Sequence, residues 1–177
     1  EPGTALGISA RPAYRWSVVD LATHLAGIVS VPIYPDQDAE RAIAVETTAG
    51  VDAVVVDDSA NERVREAAGT VFDIDSLPLG ERDSLPGFDA EPGDAATVVP
   101  PLGDESGILG CAVTHRNLLA ASAMLGEQFP VTRGSTGTCL VPLSHTFQRV
   151  ATYYLWDSGS SVAYIPPDEL TSGLETV

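Results

Sequence analysis

The chain alternates short strand-forming apolar runs with segments of helical periodicity, and no other feature limits its possible folds as tightly. Ala53 to Val56 is a continuous apolar run, the pattern of a strand buried on both faces of a sheet. Thr4 to Ser9, Val29 to Tyr34 and Thr70 to Ile74 read as further strands. Three helical segments lie between these runs. Over Ala13 to Ala26, the residues Val18, Leu21, Ala22 and Leu25 recur at helical spacing, which predicts that they face a sheet. Pro12 sits where a first helical turn tolerates proline. Asp20 and His24 fall one turn apart on that helix and can pair. Asp36 or Asp38 can cap a second helix through Glu46 with Ala39, Ala42 and Ile43 inward, and Ser59 a third through Ala68. Strand–helix alternation of this kind predicts an α/β fold: layered, with a mostly parallel sheet and flanking helices.

Residues 75–94, rich in Pro, Gly and Asp, predict a surface connection between two halves. The second half opens with a strand, Ala95 to Val99, followed by a glycine-spaced loop and the apolar run Gly110 to Val113. Thr114 is placed to cap a helix to Phe129, with Leu118, Ala121, Leu125 and Phe129 on one face. A turn over Pro130 to Gly137 leads to a strand, Thr138 to Val141. A helix from His145 to Trp156, with Phe147, Val150, Ala151 and Tyr154 inward, precedes a last strand, Ser161 to Ile165.

Charge narrows the partners. The 177 residues carry a formal net charge of −16, and all nine basic residues are arginine. Such a chain repels polyanions, which argues against nucleic acid. An acidic surface with arginine in place of lysine suits a cytoplasm of molar salt, where the Debye length falls to about 3 Å; an acidic bias of the genome is the alternative. Cys111 and Cys139 are isolated, without ligand spacing, so neither a metal site nor a disulfide framework is expected. The apolar stretch from Val18 to Ile33 is broken by Asp20, His24 and Pro32, which is wrong for a membrane span. No secretory pattern is visible, and a cytoplasmic protein is expected. The chain opens on Glu1 and closes in mid-pattern at Val177, as a piece of something longer would.

Three stretches carry a family resemblance. The run from Tyr14-Arg15-Trp16 to Val31-Pro32-Ile33-Tyr34-Pro35, the segment Thr114-His115-Arg116-Asn117-Leu118, and Val141-Pro142-Leu143-Ser144-His145 with Phe147-Gln148-Arg149 occur in order and at matching spacing. Together they resemble the AMP-forming acyl-CoA synthetases, the adenylate-forming ligases, and especially the long-chain fatty acid–CoA ligases. The resemblance implies that residues 1–177 form part of an AMP-binding (adenylation) domain. It also implies a reaction that joins a fatty acid to ATP, with Mg²⁺, as an acyl-adenylate and then passes the acyl group to coenzyme A. By the same resemblance His145 helps to orient the acyl group; read from its own position it simply begins a helix. Arg149 either faces the same site or solvates its helix, and Thr114 and Asn117 read as a helix cap and its support. The family's acidic adenine and magnesium motif, its ribose-binding Asp and its C-terminal domain have no counterpart here, which suggests an isolated chain that is inactive and is one of three things: an enzyme fragment whose missing half lies on a companion chain, a non-catalytic binding or interaction module, or a decayed gene product.

The departure from the family lies between Pro100 and Gly110. There the family has a phosphate loop, Tyr-Thr-Ser-Gly-Thr-Thr-Gly-x-Pro-Lys-Gly, and only Gly103 and Gly110 coincide with it. Pro101, Leu102, Asp104 and Glu105 stand in place of hydroxyl residues, and Leu109 in place of the lysine. Each hydrogen bond to a charged group is worth about 1.5–3 kcal/mol. A carboxylate near a phosphate adds repulsion on the order of 4 kcal/mol at an effective dielectric near 20. Losses of that size remove several powers of ten in affinity. Magnesium bridging from Asp104 or Glu105 would recover part of it only with positioned ligands. Two other motifs lead nowhere: Gly103 to Gly107 lacks the G-x-S-x-G elbow of a nucleophilic serine, and Gly134 to Gly137 reads as a turn.

Overall fold

The computed structural model describes residues 3–35, 37–60, 62–78, 80, 87–100, 110–166 and 169. Its main layer is a six-stranded sheet in the order β4-β3-β1-β2-β5-β6. The strands are β1 (Ala5–Ser9), β2 (Val29–Pro32), β3 (Val51–Val56), β4 (Thr70–Asp73), β5 (Ala95–Val99) and β6 (Cys111–Thr114). All pair in parallel except β6, which runs antiparallel to β5 with Val99 opposite Cys111 and Ala95 opposite Thr114. A second, two-stranded parallel sheet joins β7 (Thr136–Cys139) to β8 (Ser161–Tyr164). The expected α/β fold with a mostly parallel sheet and flanking helices is present.

Among the described residues five helices flank the large sheet: α1 (Tyr14–Leu25), α2 (Ala39–Ala49), α3 (Glu62–Ala67), α4 (His115–Gln128) and α5 (Thr146–Asp157). Strand order decides which face each of the first three takes. The chain steps from β1 to β2 in one direction and then back across β1 to β3 and β4, so right-handed crossovers put α1 on one face and α2 and α3 on the other. Two cores follow. On the α2–α3 face, Val31, Ile33, Val54 and Val56 pack against Ala42, Val45 and Val64. On the α1 face, Ile8, Ala10, Val55 and Ile74 pack with Trp16, Cys139 and Leu143. Alternation along β3 separates the two, since Val54 and Val56 point one way and Val55 the other.

Helix boundaries follow cap chemistry. Asp38 caps α2, accepting from the backbone N–H groups of Glu40 and Arg41, and Gly50 ends it in the left-handed conformation at φ 65°. Thr114 and Asn117 form a reciprocal capping box at the start of α4. Pro12 lies before α1, whose N-cap is Ala13. The Ser59 hydroxyl, expected as a cap for α3, instead donates to the Asp57 carboxylate two residues back.

The expected inward faces of α1 and α5 need correction. On α1, Leu21 and Leu25 are exposed, and the buried residues are Trp16, Ser17, Asp20 and Thr23. On α5, Phe147 is exposed and the buried set is Gln148, Arg149, Val150, Thr152 and Leu155. Phe129 is likewise exposed at the end of α4. In α1 and α5 the cause is the same: the two helices meet through a buried ion pair, which turns their polar residues inward.

Candidate functional site

That ion pair centres on Arg149, which is 1% exposed. Its Nη2 donates to Asp20 Oδ1 at 2.7 Å and its Nε to Asp20 Oδ2 at 3.0 Å, a two-pronged contact with a carboxylate that is itself fully buried. Nη2 also reaches Ser30 Oγ at 2.9 Å, and Nη1 reaches Thr97 Oγ1 at 3.0 Å. Thr97 Oγ1 in turn donates to the Ser30 carbonyl at 2.7 Å. The Tyr153 hydroxyl donates to Asp20 Oδ2, and the guanidinium carbon lies 5.6 Å from the Trp16 ring centroid. One side chain of α5 therefore ties together α1, β2 and β5. Burial would weaken the guanidinium's charge, but the Asp20 carboxylate outweighs it and the proton is held more firmly than usual. Burial, reinforced by the Asp20 charge, raises the Tyr153 phenol far above its ordinary range. Arg149 does not solvate its helix: its guanidinium is buried and hydrogen-bonded within the core.

His145 is the N-cap of α5, exposed, with no side-chain capping bond; its backbone N–H donates to the Pro142 carbonyl at 2.9 Å. Beside it the Ser144 hydroxyl is buried without a hydrogen-bond partner among the described residues. Gly103, Asp104, Glu105 and Leu109 lie outside the described residues. Gly110 is described, and packing accounts for it: a Cβ there would lie 2.5 Å from Val98 Cγ1.

The surroundings of that loop position are set by β5 and β6. Residues 100–110 connect two antiparallel strands, leaving β5 at the carboxyl edge of the parallel sheet. A strand–loop–helix cradle would aim a helix N-terminus at the ligand. Here the start of α4 lies beyond β6, roughly 10 Å back along the sheet at a strand rise of about 3.3 Å per residue and beside Ala95. The start of α4 is therefore remote from the carboxyl end of β5.

At the same carboxyl edge a cleft of about 440 Å³ opens between the ends of β1, β3 and β4. The connection leaving β1 goes to one face and that leaving β3 to the other, the switch point at which open α/β sheets form a crevice. The cleft's cations are committed. Arg11 pairs with Asp57 and Asp58, and Arg15 donates to the carbonyls of Ile74 and Leu77 at 3.1 Å each, with Asp75 beside it. Burial would raise the Asp57 carboxyl, yet hydrogen bonds from Ser59 and Arg11 hold it below its ordinary value.

Arg149 is sequestered, Arg11 and Arg15 are paired, and among the described residues no cluster of three or more His, Cys, Asp or Glu is placed to hold a metal ion. Burial raises the Cys139 thiol to about 11, which leaves it un-ionised. Among the described residues no helix is long and apolar enough to cross a membrane.

Nothing in the local sequence marks Ser30 and Thr97 as Arg149's partners. Asp20 does leave a sign, as a lone carboxylate interrupting an apolar run.

Comparison with known proteins bears on the fold. No family model matches the chain. It is 23% identical over 198 residues to long-chain-fatty-acid–CoA ligase 5 of Rattus norvegicus, covering 92% of this chain and 29% of the ligase. It is 27% identical over 132 residues to the equisetin synthetase eqxS of Fusarium heterosporum, covering 72% of this chain and 3% of that protein. The N-terminal domain of FACL13 from Mycobacterium tuberculosis superposes with a TM-score of 0.84 at 12% identity, over 98% of this chain and 47% of that one. The o-succinylbenzoate-CoA synthetase of Bacillus subtilis, in complex with its acyl-adenylate intermediate, gives 0.87 at 15% identity, over 99% and 47%. ATP-bound MatB of Rhodopseudomonas palustris gives 0.81 at 20%, over 94% and 36%. The chain spans less than half the length of each of these proteins. Sheet order, motif order and superposition agree that this chain has the fold found in the N-terminal domain of AMP-forming acyl-CoA synthetases.

Proposed function

We propose that the chain is the scaffold part of a long-chain fatty acid–CoA ligase-like domain and does not by itself form an acyl-adenylate. The observation that carries this reading is the loop between Pro100 and Gly110, which keeps two glycines of the family pattern, has two carboxylates and contains no cation. The antiparallel return of β6 along β5 supports the reading, because among the described residues the helix that follows, α4, starts beside Ala95 and away from the carboxyl end of β5. Fatty acid and coenzyme A are then substrates of the relatives' chemistry, and this chain's part is to hold the fold on which such chemistry is built. Leu119, Met124, Phe129 and Phe147 are each more than 60% exposed. A companion polypeptide would have to cover these side chains as one contiguous patch for them to mark its seat.

ATP–pyrophosphate exchange with long-chain acids, Mg²⁺ and the purified chain tests the reading. The expected result is exchange at the protein-free background. Turnover dependent on both ATP and the acid would refute it.

A further inference from the structure

On the α1 face, a groove of about 420 Å³ runs between α1, α4 and α5. It lies toward the edge of the sheet at which β5 begins, since α4 starts beside Ala95. Aromatic rings line it in a continuous series. His115 and His24 have centroids 5.4 Å apart at 80°, His24 and Tyr153 6.1 Å apart at 72°, and Tyr153 and Trp156 6.4 Å apart at 39°. Leu118 adds apolar surface, and the exposed carboxylate of Asp157 belongs to the same lining. No arginine is among the described residues that line it. Arg149 beneath Tyr153 is matched by Asp20, and burial holds the His24 imidazole below its ordinary value despite the pull of Asp20, which favours the uncharged ring.

We propose that this groove binds an amphipathic organic cation of the substituted-ammonium class. Ring faces attract a cation through their quadrupoles, best at tryptophan, and the attraction grows where water is excluded. Asp157 supplies a carboxylate in the lining, and the apolar surface accepts alkyl groups around the nitrogen. An anion would meet Asp157 and a molecule of net charge −16. A metal ion would lack a third ligand among the described residues. A neutral apolar molecule would leave the carboxylate unused. Neither Pro100 nor Gly110 is among the residues that line the groove, so the choline titration can succeed or fail whatever the pyrophosphate-exchange assay shows.

Titration of the whole chain with choline, read by tryptophan fluorescence and calorimetry, tests the site against the neutral isostere 3,3-dimethylbutan-1-ol. Saturable choline binding is expected, with the isostere weaker by roughly tenfold. Trp156→Leu and Asp157→Asn are each expected to weaken choline several-fold; the second alters an exposed side chain, so it reports even where the first disturbs packing. Equal binding of alcohol and cation overturns the proposal. So does the absence of saturation up to about 50 mM, or choline affinity unchanged by Asp157→Asn.

Discussion

Arg149 and Asp20 show what a single buried charge demands of its neighbours. Removing the guanidinium leaves the Asp20 carboxylate buried, with the Tyr153 hydroxyl as its remaining close hydrogen-bond donor. Arg149→Met is therefore expected to cost about 3–5 kcal/mol, measured by urea denaturation in molar salt. The double variant Arg149→Met/Asp20→Leu is expected to recover most of that loss, because no charge remains unpaired. Equal losses in the single and double variants would contradict this role. Glu46 presents the opposite case, a buried carboxyl with Oε1 unpartnered among the described residues, which burial raises to about 7. Its folded-state value lies above the ordinary 4.5, so the fold favours the protonated form. That stability is fully present below about pH 4.5 and is lost as pH rises toward 7. Glu46→Gln is expected to leave stability near pH 4 unchanged and raise it by about 1–3 kcal/mol at pH 8, read from denaturation curves at both values. Neither residue's environment could be read from its local sequence. Arg149 lies in a buried run on a helix that also exposes Phe147, and its partners Asp20, Ser30 and Thr97 lie 129, 119 and 52 positions away.

Among the elements, strands were more legible than helix faces. An apolar run such as Val54 to Val56 in β3 announces burial on both faces without knowledge of the partner. The face of α1 does not, because its buried stripe includes Ser17, Asp20 and Thr23, and periodicity of apolar residues points elsewhere. The turn of β6 back along β5 was equally hidden, since four residues give no sign of strand direction. Caps, being local, were legible: Thr114 accepts from the Asn117 backbone at 3.2 Å, and the Asn117 side chain accepts from the Thr114 backbone at 3.1 Å. Thr114→Ala is expected to cost about 1 kcal/mol, with the loss seen first as faster amide exchange in the opening turn of α4. Unchanged exchange there would show that the packing of Leu118 holds the turn without its cap.

The molecule as a whole combines an α/β scaffold with a surface of net charge −16. If that surface is an adaptation to salt, transferring the chain from about 2 M to about 0.1 M potassium chloride lengthens the Debye length several-fold and restores self-repulsion. The melting temperature is then expected to fall by roughly 10 °C or more; a melting curve independent of salt would point to compositional bias instead. The family resemblance was legible because its three motifs keep their order, and the superposition over 98% of the chain bears out the fold they implied. The loop between Pro100 and Gly110 makes the sharpest claim, that two family glycines and two carboxylates without a cation do not hold a triphosphate. Isothermal titration of the chain with ATP and Mg²⁺ in concentrated salt tests it most directly. No saturable heat is expected at millimolar nucleotide, and a magnesium-dependent complex of micromolar affinity would contradict the claim.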